Sequence, residues 1–145
     1  MRRHIVKTYV RDATRTALVR RLSDYDAVVE IGVGRRPDVA SALADTGLDV
    51  TVTDIRQRPV PDGVTFVVDD ITDPDRTVYA DADVLFARNL PPELHRPAWE
   101  LAADLGVVLY FTTLGSDPTL VPVSRETLPG TTLFVATPGT NPKQA

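Results

Sequence analysis

The stretch VVEIGVGRRP, residues 28–37, decides the fold of this chain. It joins a short β-branched run to a helical pattern through two glycines one residue apart, Gly32 and Gly34. Glycine lets the backbone turn tightly and approach a ligand closely, and the first N–H groups of the following helix attract negative charge. Asp54 follows Gly32 at about the twenty-residue spacing at which an acidic side chain reaches ribose hydroxyls. These residues predict a nucleotide-sized pocket, and an ordinary strand-to-helix turn is the alternative.

Strand and helix patterns alternate along the rest of the chain. Apolar runs predict strands at 27–31, 50–53, 64–70, 83–87, 106–113 and 131–137. Helical spacing predicts one helix from Pro37 to the stop at Gly47 and another over 92–104. Two prolines and a glycine in 55–63 argue against a long helix there. The pattern predicts an α/β fold with a doubly wound, mostly parallel Rossmann-like sheet, in which 131–137 is an antiparallel strand at an edge.

Residues 1–25 form a basic segment ahead of the sheet. They hold seven basic and two acidic side chains, whereas residues 26–145 hold nine basic and eighteen acidic ones. Helical spacing predicts an amphipathic helix that bends or restarts near Leu18. The apolar positions expected to pack on the domain are Ile5, Val6, Tyr9, Val10, Ala13 and Ala17, and the opposite face carries Lys7, Arg11 and Arg15. This basic helix either contacts a nucleic acid or a protein, or is a solvated face.

Composition excludes several kinds of site. The chain has no cysteine and only two histidines, His4 and His95, so disulfides, thiolate nucleophiles and Cys- or His-rich metal centres are excluded, and no metal site is expected. The longest apolar run, 107–111, is too short to span a bilayer, and no signal peptide is recognisable, so we expect a cytoplasmic protein without a membrane partner. Its 145 residues predict one domain over 1–145, with a disordered tail at 139–145.

Several polar or small residues lie at or just beyond the predicted strand ends. They are Glu30, Gly32, Gly34, Asp54, Asp70 and Asn89. In a doubly wound sheet a ligand binds above the carboxyl ends of the strands, so these residues are expected to cluster. Asp69 and Asp70 must point to opposite faces, and one carboxylate there can accept a hydrogen bond from an exocyclic amine while the Ile71 N–H meets a ring nitrogen. The alternative is a turn, since 69–75 is rich in turn residues.

Three of these features together resemble the first motifs of S-adenosylmethionine-dependent methyltransferases. They are the acidic residue before the glycine turn in EIGVG (30–34), Asp54 after the second strand, and Asp70-Ile71 after the third. The resemblance implies that Glu30 belongs to the glycine motif and that Gly32 and Gly34 hold the methionine part of S-adenosylmethionine. It also implies that Asp54 binds the ribose, and that Asp70 and Ile71 bind the adenine.

Longer stretches are similar to a small, functionally uncharacterised archaeal family with a truncated methyltransferase-like domain. The stretches are EIGVGRRPDVASALADTG, VTDI, VDDIT and ARNLPPEL. The similarity covers roughly residues 5–137 and implies a Rossmann-like domain of the methyltransferase type, shortened at its C-terminus, with S-adenosylmethionine as its cofactor.

The sequence departs from the methyltransferase motifs in two places, the glycine turn and the segment expected to contact the methyl acceptor. Arg36 replaces the usual third glycine and stands next to Arg35, so either guanidinium binds a carboxylate or phosphate, or points into solvent. Asn89 and the prolines after it are similar to the Asn-Pro-Pro-aromatic motif of amine methyltransferases, but Leu90 interrupts the match and no aromatic residue follows Pro92. The alternative is that Asn89 ends a strand and the prolines begin a helix.

The sequence therefore favours a methyltransferase-like protein that binds S-adenosylmethionine or S-adenosylhomocysteine and acts on a small molecule or RNA. Methyl transfer depends on proximity more than on strong acid or base groups, which agrees with the scarcity of candidate catalytic residues. A non-enzymatic domain that contacts RNA or protein through the basic helix is the second hypothesis. An NAD-dependent oxidoreductase is the third, although Pro37 stands where such a turn has a small residue.

Overall fold

A computed structural model of the chain describes residues 2–115 and 118–138, and their side chains from residue 9 onward. The helices are α1 (Arg2–Leu22), α2 (Asp38–Asp45) and α3 (Pro92–Leu105), with a 3₁₀ turn at Arg76–Val78. The strands are β1 (Ala27–Ile31), β2 (Asp49–Asp54), β3 (Val64–Val68), β4 (Val84–Ala87), β5 (Val108–Phe111), β6 (Ser124–Leu128) and β7 (Thr131–Ala136). The predicted tail, 139–145, lies outside the described residues. None of the described helices is both long and apolar enough to cross a membrane.

All of these strands belong to one sheet, in the order β3-β2-β1-β4-β5-β7-β6. Strands β1 to β5 pair in parallel, while β7 pairs antiparallel with both β5 and β6. The first helical crossover, through α2, leads from β1 to β2, and the second, through α3, leads from β4 to β5 on the other side of the sheet. The predicted fold class, a mostly parallel Rossmann-like α/β sheet, is confirmed. The predicted irregular crossover over 55–63 is also observed, since no helix lies between β2 and β3.

The sheet is covered by helices on both faces. Val28 of β1 packs with α1 and α2 on one face, whereas Val29 and Ile31 pack with α3 on the other. The central strands are apolar nearly throughout because both of their faces are buried. This burial on two sides fixes the strand register and leaves the carboxyl ends of the strands as the place where polar residues meet.

The C-terminal hairpin differs from the sequence prediction. Residues 131–136 form an antiparallel strand, as expected, but β6 pairs beyond it, so β7 is not at the edge of the sheet. Strand β6, with the sequence SRETL, is half-exposed or exposed along its whole length and carries no apolar alternation. An edge strand with little buried surface leaves only a weak hydrophobic pattern in the sequence, which is why it was not predicted.

The prediction for α1 was wrong about its buried face. The helix is continuous from Arg2 to Leu22, and the residues that enter the core are Leu18 and Leu22. Tyr9 and Val10, expected to be buried, are 75% and 40% exposed. Ala13 and Ala17 are half-buried, and the side chains of Ile5 and Val6 lie outside the described residues. Among the described side chains of α1, those in its C-terminal half therefore contribute most to the core.

Polar contacts tie the C-terminal half of α1 to the antiparallel end of the sheet. Arg21 donates two hydrogen bonds to the Glu126 carboxylate, at 2.8 and 3.0 Å, and its guanidinium lies 4.9 Å from the ring centre of Tyr110. This guanidinium holds the pKa of Glu126 below its usual value. The hydroxyls of Tyr25 and Tyr110 are 2.8 Å apart. These contacts set the position of α1 relative to the carboxyl ends of the central strands.

The close approach of α1 to the β6–β7 turn gives a test of this packing. Gly130 has a φ of +77°, and a Cβ there would lie 2.5 Å from Thr14 Oγ1 and 2.7 Å from Val10 Cγ1. We expect Gly130→Ala to lower the free energy of unfolding by about 1–3 kcal/mol more than Gly47→Ala, since both valine and threonine are stiff at χ1. Gly47 is the matched control because its φ is +96° and its Cβ would meet nothing within 4 Å. Urea denaturation of both variants measures the difference, and equal losses would show that α1 does not pack as described.

Candidate functional site

The carboxyl ends of the parallel strands surround two neighbouring cavities. The first, of about 320 Å³, lies beside the turn after β1, and we call it the glycine-turn cavity. The second, of about 270 Å³, lies between the sheet and α1, and we call it the arginine cavity. Arg88 and Asn89, which follow β4, line both. The pair lies where the strand order reverses between β1 and β4, which is where doubly wound folds bind ligands.

The glycine turn has the backbone that its sequence predicts. Gly32 and Gly34 have φ values of +70° and +59°, in the left-handed region that side chains disfavour. The turn is held to β2 because the Val33 N–H donates to the Thr53 carbonyl at 2.9 Å. A Cβ at either glycine would meet nothing within 4 Å. The glycines are therefore required by the backbone conformation, and the space beside the turn is open to a ligand.

Asp54, at the end of β2, lines the glycine-turn cavity. Its side chain is only 8% exposed, and Oδ2 accepts a hydrogen bond from the Gly34 N–H at 2.9 Å. Oδ1 accepts one from the Arg56 N–H at 3.1 Å and lies 3.5 Å from Arg58 Nε. The carboxylate thus joins the glycine turn to the segment after β2, and each oxygen has room for a further donor because a carboxylate offers about four acceptor positions.

The two acidic residues after β3 diverge, as alternation predicts. Asp69 and Ile71 line the glycine-turn cavity, whereas the exposed Asp70 does not. Oδ1 of Asp70 accepts hydrogen bonds from both the backbone N–H and the hydroxyl of Thr72, and these bonds hold its pKa below the usual value. Both bonds use the same oxygen, so Oδ2 is left for another donor. The role of Asp70 in binding adenine stays a prediction.

Asp69 was not selected from the sequence, although it is the carboxylate of this pair that lines the cavity. Its Oδ2 accepts a hydrogen bond from the Tyr79 hydroxyl at 2.6 Å, and its Oδ1 accepts one from the Asp75 N–H at 2.9 Å. Burial, together with the Asp69 carboxylate, raises the pKa of Tyr79 well above its usual range. Asp69 therefore organises the segment after β3 as one wall of the cavity.

A group of charged side chains lies under the glycine turn on the α2 face of the sheet. Glu30 is 2% exposed and borders neither cavity. Burial raises the pKa of Glu30 to about 8, opposed by the nearby Arg88 and Arg36 and reinforced by Asp38. Arg88 Nη1 donates to Asp38 Oδ1 at 3.0 Å, and the Arg88 side chain is 10% exposed. Within the described part of the chain, Glu30 Oε1 and Arg88 Nε have no hydrogen-bond partner.

Asn89 has an unusual backbone for a residue other than glycine, with a φ of +55°. Its N–H donates to Thr112 Oγ1 at 2.9 Å, and the next N–H, of Leu90, donates to the Thr112 carbonyl at 2.8 Å. A non-glycine residue in this region is uncommon and is often found at functional sites, where the surrounding structure maintains it. The expectation that the prolines begin a helix is confirmed, but β4 ends at Ala87, so Asn89 lies two residues beyond the strand, where it lines both cavities.

The two arginines of the turn separate. Both are exposed, but Arg36 lines the arginine cavity, while Arg35 borders neither cavity. Among the side chains that the structure describes, 9–115 and 118–138, no group of three or more His, Asp or Glu is placed to hold a metal ion.

The buried Glu30 gives a pH test of this geometry. A native pKa of about 8, above the usual 4.5, means that the folded state binds more protons than the unfolded state between those two pH values. The contribution of Glu30 to stability therefore falls as pH rises through that window. We expect Glu30→Gln to gain free energy of unfolding relative to the wild type on going from pH 5.5 to pH 8.5.

Urea denaturation at several pH values measures this gain. Glu93→Gln, at an exposed carboxylate in the first turn of α3, is the control and should follow the wild-type profile. A Glu30→Gln profile parallel to the wild type would mean that Glu30 is ionised in the folded protein at neutral pH.

Proteins of known fold show the same architecture. An RNA methyltransferase from Salinibacter ruber, in complex with S-adenosyl-L-homocysteine, matches with a TM-score of 0.63 at 19% identity, over 89% of this chain and 93% of that one. A 1,6-didemethyltoxoflavin-N1-methyltransferase from Burkholderia thailandensis, with 1,6-didemethyltoxoflavin and S-adenosylhomocysteine bound, matches with a TM-score of 0.55 at 17% identity, over 90% of this chain and 61% of that one. At these identities the likeness shows the fold, which is that of Rossmann-like S-adenosylmethionine-dependent methyltransferases.

Sequence comparison identifies the family. A UPF0146 protein of Halobacterium salinarum is 51% identical to this chain over 116 residues, which cover 79% of this chain and 90% of the relative. The profile of the uncharacterised protein family UPF0146 matches residues 13–137. The chain therefore belongs to the UPF0146 family, which has archaeal members and, in this chain, the fold of S-adenosylmethionine-dependent methyltransferases.

Proposed function

We propose that the glycine-turn cavity binds S-adenosylmethionine or S-adenosylhomocysteine and that the protein is a methyltransferase. The observation that carries the proposal is the position of Asp54, nine-tenths buried at the cavity wall and hydrogen-bonded to the glycine turn. This hydrogen bond joins Gly34 to Asp54, two parts of the cofactor motif that are twenty residues apart in the chain. The neighbours of known structure named above, which contain S-adenosylhomocysteine, support the same ligand.

The residues around the cavity have the chemistry that the cofactor requires. The open space beside Gly32 and Gly34 suits the methionine part, whose close approach a Cβ would impede. The Asp54 carboxylate can accept hydrogen bonds from the ribose hydroxyls. Ile71 lines the cavity, and its N–H offers a donor to the adenine edge. Asp70 lies outside the cavity lining, so its Oδ2 can accept only from a part of the adenine that extends beyond the cavity.

Apolar side chains support binding of the adenine ring. Ile55 and Ile71 line the same cavity, and Ile55 is 67% exposed although it is large and apolar. Covering such a side chain with a planar ring removes apolar surface from water and contributes about 25 cal/mol per Å². Leu90 and Leu94 line the cavity near the start of α3. The cavity therefore combines apolar walls with a few polar groups, as small-molecule sites do.

When bound, the cofactor supplies an electrophilic methyl group on a positively charged sulfur. The chain's own contribution is to position the acceptor and exclude water, because methyl transfer depends chiefly on proximity and alignment. Asn89 lies at the junction of the two cavities, and its side-chain oxygen can accept a hydrogen bond from an acceptor N–H or O–H. This function gives a reason for its left-handed backbone, which Thr112 maintains.

A non-enzymatic role of the basic helix remains a second proposal, but the described contacts favour it less. Arg11 and Arg15 line a cavity, and Arg21 is bound to Glu126. Binding along a nucleic acid backbone needs several free cations that meet successive phosphates, whereas Arg15 is paired with Asp12 and Arg21 with Glu126. The contacts therefore agree better with a ligand between α1 and the sheet than with a nucleic acid lying across α1.

Calorimetric titration with S-adenosylhomocysteine tests the cofactor site. We expect Asp54→Asn to bind at least tenfold more weakly than the wild type, since a hydrogen bond to a charged group contributes about 1.5–3 kcal/mol. Asp49→Asn is the matched control, because Asp49 is an exposed carboxylate at the opposite end of the same strand. It should bind like the wild type.

Two outcomes would refute the cofactor proposal. One is the absence of binding by the wild type at millimolar S-adenosylhomocysteine. The other is equal affinity in Asp54→Asn and Asp49→Asn, with thermal unfolding showing that both variants are folded.

A further inference from the structure

The arginine cavity is a second, separately built site next to the glycine-turn cavity. It is bounded by α1, by the residues after β4 and β5, and by the β6–β7 turn. Nothing in the cofactor motif accounts for it, since only Arg88 and Asn89 are common to both cavities. Arg88 and Asn89 separate it from the proposed cofactor site. A second reactant would lie in this position.

The charge of this cavity is opposite to that of the chain. Four guanidinium groups line it, from Arg11 and Arg15 of α1, Arg36 of the glycine turn and Arg88 after β4, while no described lining residue is acidic. The whole chain has a formal net charge of −4. Four like charges around one cavity repel one another, and a bound anion relieves that repulsion. The concentration of arginine here therefore indicates an anionic ligand.

The ion pairs of the described residues leave part of this charge unneutralised. Arg88 is paired with Asp38 at 3.0 Å, and Arg15 with Asp12 at 3.2 Å. In the same part of the chain, neither Arg11 nor Arg36 lies within ion-pair distance of a carboxylate. Arg88 is also nine-tenths buried with Nε unpartnered among the described residues. A guanidinium binds phosphate or carboxylate through paired N–H donors, so this lining suits either group.

Neutral hydrogen-bonding groups complete the lining. Thr14, Thr112, Thr113 and Thr131 line the cavity together with Asn89. The Thr14 hydroxyl already donates to a backbone carbonyl, whereas the hydroxyls of Thr112 and Thr113 can donate to the remaining oxygens of an anion or bind the uncharged part of a molecule. The lining therefore provides charge for one end of a ligand and neutral polar contacts for the rest.

The size of the cavity favours a small molecule over a nucleic acid chain. Its volume of about 270 Å³ is near the lower end of small-molecule sites, roughly 300–1,000 Å³. Helix α1 forms one wall of the cavity and is fixed there by the Arg21–Glu126 pair and by the Thr14 hydroxyl, which donates to the Pro129 carbonyl. The cavity is open to solvent at the exposed Arg11 and Arg36, but its small volume suits one anionic group with a short uncharged part rather than the repeated phosphates of a nucleic acid.

We propose that the arginine cavity binds the anionic group, a phosphate or carboxylate, of a small methyl-acceptor molecule. This inference rests on the proposed function for the acceptor's role, while anion binding stands on the cavity itself. In the transfer, an acceptor nitrogen or oxygen forms the bond to the methyl carbon as the carbon–sulfur bond breaks. The electron pair of that bond goes to sulfur, and the acceptor's proton is lost to solvent. Arg11, Arg15 and Arg36 hold the anionic end, and Asn89 lies on the side nearest the cofactor.

Titration of the full chain with pyrophosphate and with citrate tests anion binding, with one probe for each class of anion. We expect Arg11→Gln and Arg36→Gln each to weaken binding of the preferred probe at least about tenfold. Arg20→Gln is the matched control, because it removes one exposed guanidinium from the same helix without touching the cavity. It should change the affinity less than twofold. S-adenosylhomocysteine should bind Arg11→Gln as it binds the wild type.

The results separate this inference from the proposed function. If S-adenosylhomocysteine binds but neither anion does, or if Arg20→Gln weakens anion binding as much as Arg11→Gln, the inference is overturned and the cofactor proposal stands. If an anion binds and depends on Arg11 and Arg36 but S-adenosylhomocysteine does not bind, the acceptor role fails together with the proposed function. If a short single-stranded RNA binds much more tightly than pyrophosphate and all three variants weaken it equally, an RNA-binding surface replaces the small-molecule site.

Discussion

The parallel pairing of β1 with β4 at the centre of the sheet is the constraint on which both cavities depend. The crossovers that follow these strands lead in opposite directions, through α2 toward β2 and through α3 toward β5. The chain segments after β1 and β4 therefore separate above the sheet and leave a crevice between them. The glycine turn forms one side of the crevice, and Arg88 and Asn89 form the other. The glycine turn, Arg88 and Asn89 are thus positioned by this pair of strands.

The same pairing brings charged side chains together below the crevice. Glu30 of β1 is in register with Phe86 of β4, so Arg88, two residues further on, emerges on the same face. There it meets Asp38 at the start of α2. Burying such charges is costly unless they are paired, and Glu30 responds with a raised pKa. The electrostatic interactions of this cluster connect the glycine turn, α2 and the end of β4. The same charged residues therefore stabilise the walls of both cavities.

Sequence patterns predicted the parts of this arrangement that depend on local chemistry. The central strands were recognisable because burial on both faces makes them apolar throughout, and the turn because its conformation requires Gly32 and Gly34. The sequence could not show whether Asp69 or Asp70 borders the cavity, because the answer depends on which face of β3 lies there. The register of β3 with β2 determines that face. Arg88 gave no signal in the sequence because its role depends on Asp38, fifty residues away. Strand β6 was missed because an edge strand buries little surface, and the buried face of α1 was missed because the apolar spacing at Tyr9 and Val10 marks a different face from Leu18 and Leu22.

The backbone at Asn89 explains how one short segment can border two cavities. Arg88 before it pairs with Asp38 on the α2 face, whereas Leu90 after it packs into the core on the α3 face. The chain must cross from one face of the sheet to the other within these three residues. A left-handed φ at the middle residue makes that reversal, and the two hydrogen bonds to Thr112 maintain it. Such a conformation costs of order 1–3 kcal/mol, so the neighbouring β5 end must hold it in place. The hydrogen bonds to Thr112 thus keep Asn89 between the two cavities, where the proposed function places a group that orients an acceptor.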